Sequence, residues 1–226
     1  MIYEDRKEAG KLLADLLSEF ANRSDLVVLA LPRGGVPVAA EIAKRLNAPL
    51  DVFIVRKLGV PGQEELAMGA IASGGARVIN DGIVKTLRIT QSTIDEVAAH
   101  EQLELERRER LYRAGKSPHQ LNGMQVILVD DGLATGASMR AAMRAVKTLK
   151  PAKVYVAVPV AEAETKSEFL REVDGIYCTQ TPSPFRGVGQ WYKDFDQTSD
   201  AEVAQLLAGA DITAPYAKPQ PDPSNR

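Results

Sequence analysis

Two adjacent aspartates, Asp130 and Asp131, end the aliphatic run of "VILVDDGLATGAS", residues 126–138, and a string of small residues follows them. Neighbouring carboxylates repel each other, and burial raises the cost of keeping them ionised. Such a pair has something to hold: a metal ion, a set of ligand hydroxyls, or backbone donors. Gly132, Ala134, Thr135, Gly136, Ala137 and Ser138 allow the backbone to curl until several N–H groups face one point. A helix predicted over 137–149 adds the partial positive charge of its N-terminus. Thr135 and Ser138 contribute hydroxyl donors, and Gly136 is the position where a positive φ and close approach of a ligand are expected. The loop suits a monophosphate. The carboxylates suit the hydroxyls of a sugar carried on that phosphate, because an ionised carboxylate accepts two hydroxyl bonds. The phosphate loops GxxxxGK[ST] and GxGxxG do not occur. A receiver domain would place its acidic pair near the first strand, beside a phosphoacceptor.

The elements that must position these residues read as alternating strands and helices. Residues 4–20 carry Leu12, Leu13, Leu16, Leu17 and Phe20 on one helical stripe. "LVVLAL", 26–31, is a first buried strand, and "VPVAAEIAKRLN" a helix that tolerates Pro37 in its first turn. "LDVFIVRKL" is predicted as a second strand, "QVILVD" as a third, "KVYVAVPV" as a fourth and "DGIYCTQ" as a fifth. A helix over 162–171 joins the last two. The alternation predicts an α/β chain with a doubly wound, mainly parallel five-stranded sheet, in which ligands bind beyond the carboxyl ends of the strands. The second and third strands are separated by about 65 residues, too many for a plain connection. "LAMGAIASGGARVIND" reads as a β-hairpin turning at Gly74-Gly75. A long helix over 91–114 follows, with Ile94, Val97, Ala98, Glu101, Leu105, Arg108 and Tyr112 on one face. Its pairs Glu104–Arg108, Glu106–Arg110 and Glu109–Arg113 have i,i+4 spacing and read as a solvated, self-paired face.

A chain of 226 residues is long enough for one well-packed core, and one domain over 1–210 is expected. The apolar fraction of 45% and charged fraction of 26% are those of an ordinary globular protein. A net charge of -2 offers no basic face to nucleic acid. Cys178 is the single cysteine, so an internal disulfide is impossible and a reducing compartment is expected. No apolar run has the length of a membrane span, and the N-terminal stretch, charged from residue 4, does not read as a signal peptide. A cytoplasmic location is expected. The Pro-rich tail, 211–226, is expected to be disordered. His100 and His119 are isolated and take no role.

"VILVDDGLATGAS" resembles the phosphoribosyl-pyrophosphate motif of type I phosphoribosyltransferases, and the resemblance extends over residues 22–208. It implies a small C-terminal hood, about 180–200, over the site for the base. It implies that Asp130 and Asp131 hold the ribose hydroxyls while Ala134, Thr135, Gly136, Ala137 and Ser138 cradle the 5-phosphate. "LPRGG", 31–35, resembles the family's pyrophosphate loop, which often contains a non-proline cis peptide; Arg33, Gly34 and Gly35 would grip the leaving group there. "SPFRGVGQWYKDF", 183–195, resembles the hood of purine-type members. Phe185 would stack on the base, Val188 would offer backbone groups to its edge, and Asp194 would join Asp130 and Asp131 around Mg2+ if one residue is inserted. Trp191 and Tyr192 read as hood core. Arg56 and Lys57, ending the second strand, would face the same crevice, and closure of a flexible loop over 58–80 would exclude water. Members that use 6-oxopurines carry an acid where this chain has Ala134 and a lysine where it has Pro159 and Val160. Adenine-type members instead place a glutamate on the flexible loop, where this chain has Glu64 and Glu65. The implied activity is Mg2+-dependent transfer of a phosphoribosyl group to a nitrogenous base in nucleotide salvage, by a homo-oligomer whose other partners are small molecules. The alternative is a non-catalytic sensor of phosphoribosyl pyrophosphate or a nucleotide.

Overall fold

A computed structural model describes residues 1–210; the tail expected to be disordered lies outside the described residues. The chain runs through α1 (Arg6–Leu16), β1 (Leu26–Ala30), α2 (Gly35–Leu46), β2 (Leu50–Val52), β3 (Val55–Val60), β4 (Gln63–Ala72), β5 (Ala76–Ile79), α3 (Asp81–Thr86), α4 (Gln91–Arg113), β6 (Gln125–Val129), α5 (Ala137–Thr148), β7 (Lys153–Val160), α6 (Ala163–Phe169), β8 (Gly175–Gln180) and α7 (Asp200–Gly209). Five strands form a parallel sheet in the order β2-β1-β6-β7-β8, as the alternating pattern predicts. β1 and β6 are buried along their whole length because helices cover both faces, which is why they read as continuous aliphatic runs. With β1 and β6 adjacent, the loops that follow them open side by side at the carboxyl edge.

Three departures from the sequence reading matter. The predicted second strand is two strands in different sheets. β2 pairs with β1, whereas β3 pairs with β4 and, through it, β5 in a separate antiparallel sheet. The chain changes sheets at Phe53-Ile54, where Phe53 N donates to Ala30 O and Ile54 N donates to Ser73 Oγ. Arg56 and Lys57 therefore belong to the antiparallel sheet and do not end a core strand. Second, the first helix stops at Leu16 and gives way to a 3-10 turn over Ser18–Phe20. Its buried face is Ala9, Gly10, Leu13 and Ala14, with Leu16 turned outward. Gly10 is needed because a Cβ there would lie 2.7 Å from Val38 O of α2. Third, α3 and α7 are elements the sequence reading did not include.

The predicted turn at Gly74-Gly75 is present, with both residues at positive φ. The antiparallel sheet is docked rather than detached: Met68, Ala70, Ile71 and Ala72 of β4 are buried, while Gln63–Leu66 projects into solvent.

The inserted helix α4 is anchored through Ile94, Ala98, Leu105 and Tyr112. Glu104–Arg108 and Glu106–Arg110 pair on its surface, as expected. Arg113 does not belong to that solvated set. It is buried, and besides Glu109 it donates to Asp51 Oδ1 at 2.8 Å and Val52 O at 2.9 Å. Replacing Arg113 with Met leaves a buried carboxylate without its partner. Urea denaturation should show a loss of about 3–5 kcal/mol. A loss below about 1 kcal/mol would instead be the behaviour of a surface pair.

Candidate active site

Asp130 and Asp131 follow β6 at the carboxyl edge of the sheet. Asp131 N donates to Asp130 Oδ1 at 2.9 Å, so the first carboxylate partly caps the turn that presents the second. Burial pushes the Asp130 carboxyl well above the usual range, and the adjacent Asp131 charge pushes it further. Burial raises Asp131 as well, while the guanidinium of Arg6 pulls it back. Arg6 Nε donates to Asp131 Oδ2 at 2.9 Å, with the two side chains only 12% and 16% exposed.

The loop beyond the pair is tied down before it opens. Leu133 N donates to Val160 O at 2.8 Å, and Glu162 N donates to Leu133 O at 2.9 Å. Thr135, Ala137 and Ser138 lie exposed at the mouth, the last two on the helix they begin. Gly136 has φ 72° and begins α5 with no side-chain cap. By contrast α1, α4 and α7 start with Asp5, Thr90 and Ser199, whose side chains accept backbone N–H groups. The N-terminus of α5 thus keeps its donors and partial positive charge for a ligand. The requirement for glycine at 136 comes from the rear wall, not the mouth. A Cβ there would lie 2.6 Å from Phe169 Cε2, a ring that Arg140 covers with its guanidinium carbon 4.6 Å from the centroid.

Facing this loop, residues 31–35 lead from β1 into α2. The Pro32–Arg33 peptide is cis, the feature that the family resemblance implies for this loop. A Cβ on Gly34 would collide with the Asp131 carboxylate, and one on Gly35 would lie 2.6 Å from Val129 O. The two loops are packed backbone against carboxylate, which only glycine permits. Arg33 lies 3.7 Å from Asp200 on α7, and Asp200 also accepts the Tyr112 hydroxyl at 2.6 Å.

The hood comprises a 3-10 turn over Val188–Trp191 and its flanks. Val188 lies against Gly132, and Phe185 packs beside Trp191 and Phe195 on the cluster of Tyr3, Ala9, Val160 and Tyr192. Tyr192, expected as hood core, is buried, and its hydroxyl donates to Asp131 O at 2.6 Å. The carbonyl of Pro159 is taken by the hydroxyls of Tyr3 and Thr179.

Several expected site residues have partners other than the acidic pair. Asp194 is not brought to it: its backbone N–H binds Glu4 O, its carboxylate accepts from Asp196 N, and among the described residues no three acidic, His or Cys side chains converge as a metal cluster. Arg56 is paired with Glu101 of α4 at 2.7 Å, and Lys57 with Glu65 at 3.1 Å. Glu65 is fully exposed on the projecting part of β4, and Glu64 accepts from Gly62 N. Arg6, Tyr192 as a partner of Asp131, and Asp200 were not identified from the sequence. Asp200 had a readable signal, because Ser199 and Glu202 have the S-x-x-E spacing of a helix start.

Gly136→Val combines a forbidden φ with a collision against Phe169, so stability should fall by about 1–3 kcal/mol, read as a lower melting temperature. Unchanged melting with lost anion binding would show that the side chain fills the mouth after all. Asp130→Asn should act in the opposite direction. A carboxyl whose folded pKa exceeds its unfolded value stabilises the fold below the unfolded value, and that contribution is lost as pH rises through the folded one. Above the unfolded value the buried Asp130 carboxyl therefore costs stability. The variant should melt higher by a few degrees, about 2–4 °C per kcal/mol. The gain should shrink as pH falls toward 3.8, the ordinary aspartate value. Thermal melts across that range measure it.

A family model described as "Phosphoribosyl transferase domain" matches residues 2–180, which brings the first helix into the region of similarity. Two Mycobacterium tuberculosis proteins, from strains CDC 1551 / Oshkosh and ATCC 25618 / H37Rv, are named provisionally as phosphoribosyl transferases. Each is 44% identical over 206 residues, 91% of this chain and 46% of the relative. The chain spans about half the length of these curated relatives. The crystal structure of TT1426 from Thermus thermophilus is 40% identical, with a TM-score of 0.82 over 92% of this chain and 99% of that one. The acidic pair, the small-residue loop at an uncapped helix and the five-stranded parallel sheet lie within the span that the family model covers, and the chain belongs to the phosphoribosyl transferase family.

Proposed function

We propose that this chain transfers the 5-phosphoribosyl group from phosphoribosyl pyrophosphate to a ring nitrogen of a base, releasing pyrophosphate. The observation that carries this reading is the carboxylate pair beside an uncapped helix N-terminus, with Gly34 of the facing loop packed on Asp131. Asp130 and Asp131 would accept the ribose hydroxyls, and residues 134–138 would hold the 5-phosphate. Arg33 with the Gly34–Gly35 backbone would meet the pyrophosphate. In the reaction the ring nitrogen bonds to ribose C1, the bond from C1 to the pyrophosphate oxygen breaks, and the nitrogen gives up its proton. Positive charge grows on the ribose in the transition state, and the two carboxylates would stabilise it.

The donor set suits magnesium. Two aspartates offer hard oxygen ligands, and Mg2+ commonly takes one or two carboxylates while substrate phosphates and water supply the rest. Asp130 and Asp131 would hold it; the lack of a third converging carboxylate among the described residues is compatible with an ion shared with the substrate. Bound there, the ion would neutralise charge on the leaving pyrophosphate.

For the base, Ala134 and the Pro159-Val160 pair lack the side chains that read a 6-oxopurine in related enzymes. The Pro159 carbonyl is already occupied by Tyr3 and Thr179, which supports a different reader. Stacking on Phe185 holds any flat ring, so selectivity rests on polar groups left unpaired by the wrong one. Adenine is the first acceptor to try, with Glu65 brought to its nitrogen when the tip of the antiparallel sheet closes. The setting would be nucleotide salvage in the cytoplasm. Among the described residues no helix is long and apolar enough to cross a membrane.

Steady-state pyrophosphate release with a panel of bases, at saturating donor and Mg2+, tests the proposal. Release with adenine or another non-6-oxopurine ring is expected. Guanine or hypoxanthine turnover at about 1–10³ per second would overturn the acceptor reading. Donor binding without release for any ring would favour the non-catalytic sensor. Asp130→Asn/Asp131→Asn should lose donor affinity by several kcal/mol, about 1.5–3 for each charged hydrogen bond, by calorimetry. Unchanged affinity would remove the pair from the site.

A further inference from the structure

The N-terminal segment is stitched to the hood along its backbone. Tyr3 N donates to Trp191 O at 2.8 Å, Lys193 N to Tyr3 O at 2.8 Å, and Asp194 N to Glu4 O at 2.9 Å. Tyr3 and Tyr192 pack ring on ring at 5.3 Å, and Tyr192 stacks in turn on Phe195 at 5.0 Å. From this unit a charged side chain reaches the acidic pair at the sheet edge. Arg6, the first residue of α1, places its guanidinium 4.0 Å from the Phe195 ring centroid and donates through Nη1 to Asp196 O at 2.8 Å. Its Nε binds Asp131 Oδ2. One planar group thus touches a hood carbonyl, a hood ring and the carboxylate at the sheet edge. Tyr192 also reaches the same aspartate, at that residue's backbone carbonyl.

We infer that Arg6 is a positioning residue that couples the donor site to the hood, a role that rests on the proposed reading of Asp131 as a holder of the ribose. Arg6 engages Oδ2 and leaves Oδ1 for the incoming hydroxyls. Its fork has a fixed plane, and Phe195 and Asp196 fix that plane from the hood side. One guanidinium therefore ties the rotamer of Asp131 to the hood residues Phe195 and Asp196. A sugar that engages Asp131 acts on the hood through Arg6, and a hood that moves alters Asp131. Donor occupancy and formation of the base site become linked by a contact between them.

The sole tryptophan reports on this link, since Trp191 lies in the hood and its carbonyl is bound by Tyr3. In the full chain, phosphoribosyl pyrophosphate with Mg2+ should bind by calorimetry and change Trp191 emission. Arg6→Gln should weaken donor affinity about tenfold to a hundredfold, the equivalent of one charged hydrogen bond. At saturating donor it should also abolish the Trp191 response. Arg6→Lys keeps the charge without the planar fork, and should recover part of the affinity and little of the emission change. Glu4→Gln breaks the exposed Glu4–Lys193 ion pair between the same two segments without touching Asp131, and should leave affinity and response unaltered. Donor affinity of Arg6→Gln within about twofold of the unmodified chain, or an undiminished Trp191 response at saturation, would overturn the coupling. If Glu4→Gln has the same effect as Arg6→Gln, Arg6 is general glue for the N-terminus and the inference fails. If Arg6→Gln does not fold, Arg6→Lys carries the test: full emission change with that variant overturns it. If the unmodified chain does not bind donor at all, the proposed function falls first and this inference falls with it.

Discussion

Two carboxylates held side by side at the carboxyl edge of a parallel sheet are unstable neighbours, and the surroundings of residues 130–136 are arranged to tolerate them. Burial and mutual repulsion both act against ionisation. A single guanidinium, Arg6, offsets part of that for Asp131. The backbone of the facing loop comes so close to both aspartates that Gly34 and Gly35 admit no side chain. Tyr192, held as a donor because burial and the Asp131 charge raise its own pKa, binds the carbonyl of Asp131. Such an arrangement favours a ligand that brings hydroxyls or a cation to the carboxylates, since either relieves a tension the fold carries.

How much of this was legible in the sequence follows from where each contact comes from. The strands β1, β6 and β7 were readable because each is a short aliphatic run bounded by turn residues, and burial on both faces produces that pattern. The split at Phe53-Ile54 was not. Residues 50–58 have one continuous strand-like composition, and the choice of sheet is made by distant partners: Val28 opposite Leu50 in one, Ala72 opposite Val55 in the other. The pairing of residues 3–4 with the hood has no local signature at all, since its energy lies in backbone bonds to residues 191–194.

The same division runs through the site. Asp130, Asp131, the small-residue loop and the LPRGG loop are contiguous stretches in which spacing carries the chemistry, and all of them meet at one edge. Arg6 binds a residue 125 positions away, and nothing in "YEDRKE" distinguishes it from the solvated charges beside it. Arg113 misled the reading for the converse reason. Its i,i+4 partner Glu109 is real, but the stronger demand on its guanidinium comes from Asp51, across a separation of 62 residues.

The inserted helix also bears on the site, although it lies outside the core sheet. Tyr112 of α4 donates to Asp200 of α7, and Asp200 lies 3.7 Å from Arg33 in the facing loop. Burial and the Asp200 carboxylate push the Tyr112 hydroxyl up to about 12, so it remains a donor throughout the physiological range. The same Asp200 oxygen, Oδ1, thereby accepts a neutral hydroxyl and faces the arginine. An anion arriving at residues 31–35 meets a guanidinium already close to a carboxylate, so it exchanges one anionic partner of Arg33 for another. The net gain from that residue is a difference between two ion pairs, and the existing one, with both side chains about a third exposed, is weakened by solvent. The greater share of any anion affinity at this edge must then come from backbone donors and helix ends, which have no competing carboxylate to release.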